Sequence, residues 1–478
     1  MKKRWIMCGI LGIVSESGEV SQDIYAGLWS LQHRGKEGAG IATYDGNVYH
    51  EKRGMGTVEV VFGGEVLSGL LGKIGIGHVR YSTAGGSTLE NVQPIQGLFK
   101  SVPFWIAHNG NLTNTKKLRQ ECVKQGYFFR TTTDTEIIAS LIYFNESFGF
   151  EEALYRALSR VEGTYALVVL YKDVIYGMRD LTGNRPLVYG EGRGIKVLAS
   201  ESATCDVLGM KYLFDVRPGE IIVMKQGSLS GAYGDQMFCS TAEAFQKQKF
   251  CVFEYVYFLR PDSIFDGRRA QRVREEMGRN LWRESAVDAD IVVPVPDSGN
   301  FAACGLAKEA GLPIEMALFR SHYVGRTFIE PLQERREKGM RIKLNVIPEL
   351  VEGKRVVVVD DSIVRSTVIK RVINMLREAG AREIHTRISS PPYKYPCYYG
   401  IDTYRVENEL IAKRLNGDVE AIRKEIGADS LHYLSLEGLR RSVMEVPGNK
   451  LKANNFCDAC FSGNYHIPLK DGIFGKET

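Results

Sequence analysis

The sequence predicts an α+β domain followed by an α/β domain built on a parallel sheet, and three observations carry that expectation. At 478 residues the chain has length for two to three domains, each with a core of its own. Residues 8 to about 235 show short alternating or apolar runs broken by glycine, whereas residues 290 to 390 alternate strand-like runs with amphipathic helices. The composition is that of an ordinary globular chain, 44% hydrophobic and 25% charged with 50 Gly and 15 Pro, which excludes disordered, collagen-like and coiled-coil classes.

In chain order, the first half is expected to hold strands at 74–79, 104–107, 165–171 and 220–224 and helices at 21–32, 135–144 and 151–161. The polar, glycine-containing stretch 226–235 reads as a boundary. This gives a leader over 1–7, a first domain over 8–235 and a second over 236–478. The second domain has strand runs at 291–295, 355–359 and 384–388, with helices at 302–310 and 368–379, the latter stopped by Gly380. Two of those strands run straight into polar loops, Asp297-Ser298-Gly299 and Asp360-Asp361-Ser362. In a parallel sheet such loops lie side by side at the carboxyl edge, where open α/β folds bind ligands.

Sixty-two basic and fifty-seven acidic side chains leave a net charge of +5, too mild over this length to imply a nucleic-acid or membrane partner. No apolar run approaches the ~20 residues of a membrane span. The basic start Met1-Lys2-Lys3-Arg4 and the apolar stretch after it superficially resemble a secretory signal, but Gly9, Gly12 and Glu16 interrupt it and no small-x-small cleavage site follows. Nine cysteines without an export signal fit the reducing cytoplasm, where thiols serve catalysis, metals or packing rather than disulfides.

Val356 to Val359, two acids, the loop Ser362 to Thr367 and a helix with apolar Val368, Ile369, Val372, Ile373 and Leu376 form one strand-loop-helix unit. The N–H groups at that helix start lack helical partners and sit at the positive end of its dipole, so they can receive a phosphate. Asp360 and Asp361 suit ribose hydroxyls or a magnesium-bound group, which points to a sugar phosphate; the bland alternative is that they only cap the helix. The segment 356–367 resembles the pyrophosphoribosyl-binding loop of type I phosphoribosyltransferases. That resemblance implies Asp360 and Asp361 on the ribose hydroxyls of phosphoribosyl pyrophosphate. It implies Ser362, Arg365, Ser366 and Thr367 around its 5-phosphate, Asp297 and Ser298 on the pyrophosphate side, and Mg2+ near Ser298, Asp360 and Asp361.

Cys8 opens the run Cys8-Gly9-Ile10-Leu11-Gly12-Ile13, and removal of only seven residues would place a free α-amine beside its thiol, a general base for an N-terminal nucleophile. Leu31-Gln32-His33-Arg34-Gly35, Gly77-His78-Val79-Arg80-Tyr81-Ser82-Thr83 and His108-Asn109-Gly110-Asn111 follow in order. Taken singly, Cys8 reads as core packing, Arg80 as a surface ion pair and Asn109-Gly110 as a hairpin turn. Together the four resemble the class II glutamine amidotransferase domain, an N-terminal-nucleophile fold layered α/β/β/α. The resemblance implies that Cys8 attacks the glutamine amide and that Asn109 and the Gly110 N–H hold the oxyanion. Arg80 would pair with the substrate carboxylate and Asp134 with its ammonium.

Cys457-x-x-Cys460 lies beyond the second domain's sheet, not between a strand and a helix, and so reads as half a metal site. Cys251 and Cys397 are candidates for the other half, with Cys239 the nearest rival to Cys251. Zinc, an iron-sulfur cluster and four unconnected core thiols all remain open on ligand type alone.

A glutaminase domain ahead of a phosphoribosyltransferase domain resembles, over nearly the whole length, the iron-sulfur branch of the amidophosphoribosyltransferase family. This implies glutamine-dependent conversion of phosphoribosyl pyrophosphate to 5-phosphoribosylamine, releasing glutamate and pyrophosphate at the start of purine biosynthesis. It also implies a [4Fe-4S] cluster on Cys251, Cys397, Cys457 and Cys460, a lid at 323–329, a homotetramer, and purine nucleotides as feedback inhibitors. One departure stands out. The family's phosphate loop usually reads Arg-Gly-Thr-Thr, against Arg365-Ser366-Thr367-Val368 here. A serine in left-handed backbone would cost ~1–2 kcal/mol, and the valine removes a hydroxyl donor worth ~1.5–3 kcal/mol toward a charged acceptor. Weakened substrate binding is therefore expected unless Ser366 supplies its own hydroxyl. A non-catalytic or repurposed relative is the rival reading, and a glutaminase serving another acceptor is a second.

Overall fold

In the computed structural model, which describes residues 7–81, 86–232, 247–321, 344–449 and 451–469, the glycine-punctuated runs of the first half pair into two antiparallel sheets. The first sheet uses β1 (Gly9–Ser15), β2 (Gly38–Tyr44), β3 (Tyr49–Met55) and β4 (Ile74–Arg80). The second begins with β5 (Ile95–Phe99), β6 (Val102–Leu112), β7 (Gly163–Tyr171) and β8 (Val174–Arg179). The chain then adds β9 (Val188–Gly192), β10 (Ile195–Ala199) and β11 (Lys211–Asp215) to the first sheet, and β12 (Ile221–Lys225) and β13 (Ser228–Ala232) to the second. The strand orders are β11-β9-β10-β1-β4-β2-β3 and β13-β12-β8-β7-β6-β5.

Alternation along these strands sends one set of side chains between the sheets, where Ile10, Val14, Ile76, Trp105, Val168 and Leu198 form a shared core. On the far side of the second sheet, the helices Thr115–Lys124, Thr135–Tyr143 and Phe150–Leu158 bury Leu118, Ile138 and Leu154. The helix Ser21–Ser30 covers the first sheet with Ile24 and Leu28. The layering is α/β/β/α, as the resemblance implied. The short strand expected at 104–107 is the middle of the eleven-residue β6, which places Asn109-Gly110 inside a strand and removes the hairpin-turn reading. The stretch read as a boundary at 226–235 contains strand β13, the edge of the second sheet.

After the short strand β14 (Phe250–Cys251) and the hairpin β15 (Ile264–Phe265) and β16 (Arg268–Arg269), the second half builds its parallel sheet from β17 (Ile291–Pro294). The hairpin β18 (Leu318–Arg320) and β19 (Leu344–Val346) precedes the rest of that sheet, β20 (Arg355–Asp360), β21 (Glu383–Ile388) and β22 (Ser430–Tyr433), in the order β17-β20-β21-β22. All three neighbouring pairs are parallel. The unbroken valine run of β20 is buried on both faces, as a parallel strand between helices requires. Near the carboxyl end, β23 (Phe456–Cys457) returns to pair with β14. Among the described residues no helix is long and apolar enough to cross a membrane.

Candidate functional site

Cys8 immediately precedes β1, whose pairing with β4 sets Gly9 opposite Val79, so the thiol lies beside Arg80 and Tyr81 and donates to the Tyr81 carbonyl at 3.4 Å. Arg80, Gln93, His108, Gly110 and Asp134 close around it, leaving about 10 Å³, room for one water. A glutamine must therefore displace part of this lining. Burial pushes the thiol up to about 11, against the Tyr81 hydrogen bond and the Arg80 charge. Cys8 is held as a neutral thiol and needs a base before it can attack.

β6 supplies the opposite wall. Asn109 is buried and its amide nitrogen has no hydrogen-bond partner, an orphan donor of the kind an oxyanion satisfies. Gly110 faces Tyr165 on β7, and a Cβ at this residue would lie 2.1 Å from the Thr164 carbonyl, so only glycine lets the two strands close here. Asp134 precedes the helix Thr135–Tyr143, accepts from the Leu112 N–H at 3.0 Å and lies 3.6 Å from His108 Nδ1. Burial would raise its pKa, but His108 and these hydrogen bonds hold it below the usual carboxylate range. Arg80 ends β4 and donates to the Gly86 carbonyl at 3.0 Å. Cys8, Arg80, Gly110 and Asp134 thus share one lining, and Asn109 adjoins Gly110 on β6. Behind them, burial first and then the Arg80 charge keep His78 neutral, with a pKa of about 3.

A buried ion network that sequence reasoning missed supports the nucleophile. Arg34, fully enclosed, donates through Nε to the Cys8 carbonyl at 3.1 Å, through Nη1 to Glu201 at 2.7 Å, and to both oxygens of Glu254 at 3.0 and 2.8 Å. Glu201 also accepts from His33 at 2.7 Å, and Arg185 lies 3.5 Å from Glu254. Arg34 stood in a quoted motif, but its partner Glu254 is 220 residues away, in the π-helical turn Glu254–Phe258. Arg185 and the Thr164 hydroxyl both donate to the Tyr399 carbonyl, at 2.9 and 2.7 Å, and Asn111 donates to that of Tyr398 at 3.0 Å. The second half thereby grips β6 and β7 beside the orphan Asn109 donor.

At the carboxyl edge of the parallel sheet the two polar loops meet as expected. Ser298 Oγ donates to Asp360 at 3.2 Å, and Gly299 permits the approach, since a Cβ there would lie 2.3 Å from the Val359 carbonyl. Burial, then the charge of Asp361, raises Asp360 well above the usual carboxylate range, and burial raises Asp361 too. Two carboxylates buried this close favour hydroxyl donors or a cation as partners. Ser362 donates to Asp361, and Asp297 pairs with Arg320. Arg365 pairs with Glu409 at 3.0 Å, and Ser366 and Thr367 begin the helix Thr367–Glu378.

The expected backbone strain at Ser366 is absent. Its φ of −61° and ψ of −18° are right-handed, so the added Cβ carries no left-handed penalty. Its hydroxyl donates to Glu425 at 2.8 Å, and Val368 is exposed.

The four expected thiols lie at the junction of the halves. Cys251 and Cys457 are register partners of the parallel pair β14–β23, and Cys460 lies three residues on in the short helix Ala459–Ser462. Cys397 accepts the Tyr399 N–H through its sulfur at 3.3 Å. All four are buried. Burial first, then the neighbouring sulfurs, pushes Cys457 and Cys460 well up. Four buried sulfurs, with the Arg185 guanidinium close to three of them, form a donor set suited to a thiolate-bound metal group. Among the described residues no three His, Cys, Asp or Glu side chains close up as tightly as a single metal ion requires. Residues 1–6, the segment expected to form a lid at 323–329, and Cys239 lie outside the described residues.

Comparison with known proteins adds to this geometry. Residues 78–206 match the glutamine amidotransferase domain family. The chain is 44% identical over 475 residues to an amidophosphoribosyltransferase of Methanothermobacter thermautotrophicus, covering 98% of this chain and 97% of that one. It is 45% identical over 466 residues to that of Archaeoglobus fulgidus, covering 97% and 98%. A solved glutamine phosphoribosylpyrophosphate amidotransferase from Bacillus subtilis, complexed with ADP and GMP, superposes with a TM-score of 0.89 at 42% identity, covering 97% of this chain and 98% of that one.

Proposed function

The chain belongs to the amidophosphoribosyltransferase family, the enzymes of the first step of purine biosynthesis, and from that premise we propose how its residues divide the reaction. Glutamine, phosphoribosyl pyrophosphate and water become 5-phosphoribosylamine, glutamate and pyrophosphate, the water releasing glutamate from its thioester on Cys8. The observation that carries the first half is a buried thiol in a pocket lined by Arg80, Gly110 and Asp134, with the orphan amide donor of Asn109 next to Gly110 on β6. With residues 1–7 removed, the α-amine of Cys8 takes the thiol proton and the sulfur attacks the glutamine amide. Asn109 Nδ2 and the Gly110 N–H receive the oxyanion, Arg80 pairs with the substrate carboxylate through its forked guanidinium, and Asp134 pairs with the ammonium. The released ammonia must be kept from water, because in neutral water it is mostly ammonium and has no lone pair to attack C1 of the sugar.

At the second site Asp360 and Asp361 take the ribose hydroxyls, the loop Ser362–Thr367 with Arg365 and Ser366 takes the 5-phosphate, and Asp297 and Ser298 face the pyrophosphate. Magnesium, held near Ser298, Asp360 and Asp361, would offset the charge of the leaving pyrophosphate. The right-handed backbone of Ser366 supports an intact loop over a degraded one.

Cys251, Cys397, Cys457 and Cys460 would hold a [4Fe-4S] cluster, a structural tie between the carboxyl-terminal segment and the domain junction. The Bacillus subtilis complex with ADP and GMP supports inhibition by purine nucleotides. A homotetramer and a cytoplasmic setting complete the proposal, the latter in keeping with eight free cysteines among the described residues. Anaerobically purified protein given glutamine, magnesium and phosphoribosyl pyrophosphate tests the reaction: coupled release of glutamate and pyrophosphate is expected, and glutamate alone or neither product refutes it. Iron and sulfide analysis should find about four of each per chain, and zinc in their place would overturn the cluster.

A further inference from the structure

We propose that Glu425, backed by Arg414, is a positioning residue for the sugar-phosphate site, pinning the Ser366 hydroxyl so that the loop Ser362–Thr367 is held in the shape that receives the 5-phosphate. This rests on the assignment of that loop to phosphoribosyl pyrophosphate. A glycine in this place would leave the loop free, and the serine here is used to fasten it. Ser366 precedes the helix Thr367–Glu378, where a serine hydroxyl commonly caps its own helix, yet it makes no cap hydrogen bond and donates instead to Glu425 at 2.8 Å. Ser366 thus spends its hydroxyl on Glu425 and not on capping its own helix.

The pin belongs to a short stretch of chain that grips the loop at three successive residues. The Ile411 N–H donates to the Val364 carbonyl at 3.0 Å, Glu409 pairs with Arg365 at 3.0 Å, and Glu425 takes Ser366. Arg414, the last residue of the helix Ile411–Arg414, donates to both oxygens of Glu425, at 2.5 and 2.6 Å. A carboxylate beside an anion site would otherwise repel its ligand, and this guanidinium neutralises it. Glu425 is only about a quarter exposed, so the pair is partly shielded from solvent. A loop ordered before the ligand arrives loses less freedom on binding, which appears as affinity.

The test is ammonia-dependent turnover of the full chain, in which glutamine chemistry plays no part, with KM for phosphoribosyl pyrophosphate and kcat measured separately. Glu425→Ala and Ser366→Ala should each raise that KM by about tenfold, the lower end of what one hydrogen bond to a charged group is worth, with the effect falling on KM more than on kcat. The double variant should be no worse than either single one, because both remove the same contact. Asp360→Asn serves as the reference for the site and should raise KM whatever Glu425 does. An unchanged or lower KM in Glu425→Ala, or additive effects in the double variant, overturns the pin while a raised KM in Asp360→Asn leaves the site assignment standing. If Asp360→Asn also leaves KM unchanged, the site assignment fails and the pin with it.

Discussion

Replacing Glu254 with glutamine should loosen the glutaminase nucleophile from behind. Glu254 and Arg34 are fully enclosed, and the carboxylate takes two Arg34 hydrogen bonds, at 2.8 and 3.0 Å, with Arg185 at 3.5 Å. With Glu201 the four charged groups balance, two positive against two negative. Glu254→Gln keeps the shape but leaves one buried positive charge uncompensated, and its amide offers a single acceptor oxygen where two were used. Breaking a buried pair by removing one charge typically costs ~3–5 kcal/mol, which multiplies local opening by roughly 100- to 5000-fold at 1.4 kcal/mol per tenfold. Hydrogen exchange of the peptide spanning 250–260, in the regime where rates report opening equilibria, reads that factor directly. Because Arg34 also holds the Cys8 carbonyl, glutamine-dependent turnover should fall further than ammonia-dependent turnover. Exchange within tenfold of the parent together with unchanged glutamine use would refute the assignment of this network to the nucleophile.

Three further outcomes are expected. Cys8→Ala should abolish glutamine use and spare ammonia-dependent turnover, both read in the coupled product assay; loss of both activities would count against separate sites. Gly110→Ala drives a methyl against the Thr164 carbonyl and shifts an oxyanion donor, so glutamine-dependent kcat should drop by ~100- to 1000-fold, and a drop under about fivefold would remove Gly110 from the oxyanion site. His78 is neutral in the fold with a pKa of about 3 against the usual 6.5 of a solvated histidine, so the unfolded chain binds a proton that the folded one refuses. That contribution is complete above pH 6.5 and is lost as pH falls toward 3, at ~1.4 kcal/mol per unit. Between pH 6.5 and 4.5, His78→Gln should therefore show roughly 2–3 kcal/mol less acid destabilisation than the parent in denaturant titrations; equal acid sensitivity would contradict it.

Legibility in the sequence follows the range of the interaction. The carboxyl-edge loops were readable because a valine run ending in two acids is local, and a parallel sheet then forces Asp297-Ser298-Gly299 beside it. The oxyanion strand was only half readable: the motif marked Asn109 and Gly110, but whether they sit in a turn or a strand depends on pairing with β7, more than fifty residues on. Helix ends slipped by one to three residues, as at the helix expected over 151–161 and found at Phe150–Leu158, where tertiary contacts and not propensity end it. Arg34 with Glu254 was invisible, since a charged residue inside a motif looks the same whether it faces solvent or a partner 220 residues distant. Ser366 misled for a related reason. The expected strain assumed a left-handed backbone, and the right-handed conformation found there gives the hydroxyl a partner from a later helix.

The two halves are joined by more than a linker. One continuous core holds Leu11, Ile13 and Leu28 from the glutaminase side together with Val292, Val357 and Val359 from the parallel sheet, and includes all four junction cysteines. Across it, Glu254 neutralises the arginine that holds the Cys8 carbonyl, and the Tyr398 and Tyr399 carbonyls brace β6 and β7 beside Asn109 and Gly110. A glutaminase cut away at residue 235 would keep every residue proposed to touch glutamine, yet lose the anion that balances Arg34 and the carbonyls that brace β6 and β7. Such a fragment should bury an unpaired charge and hydrolyse glutamine poorly.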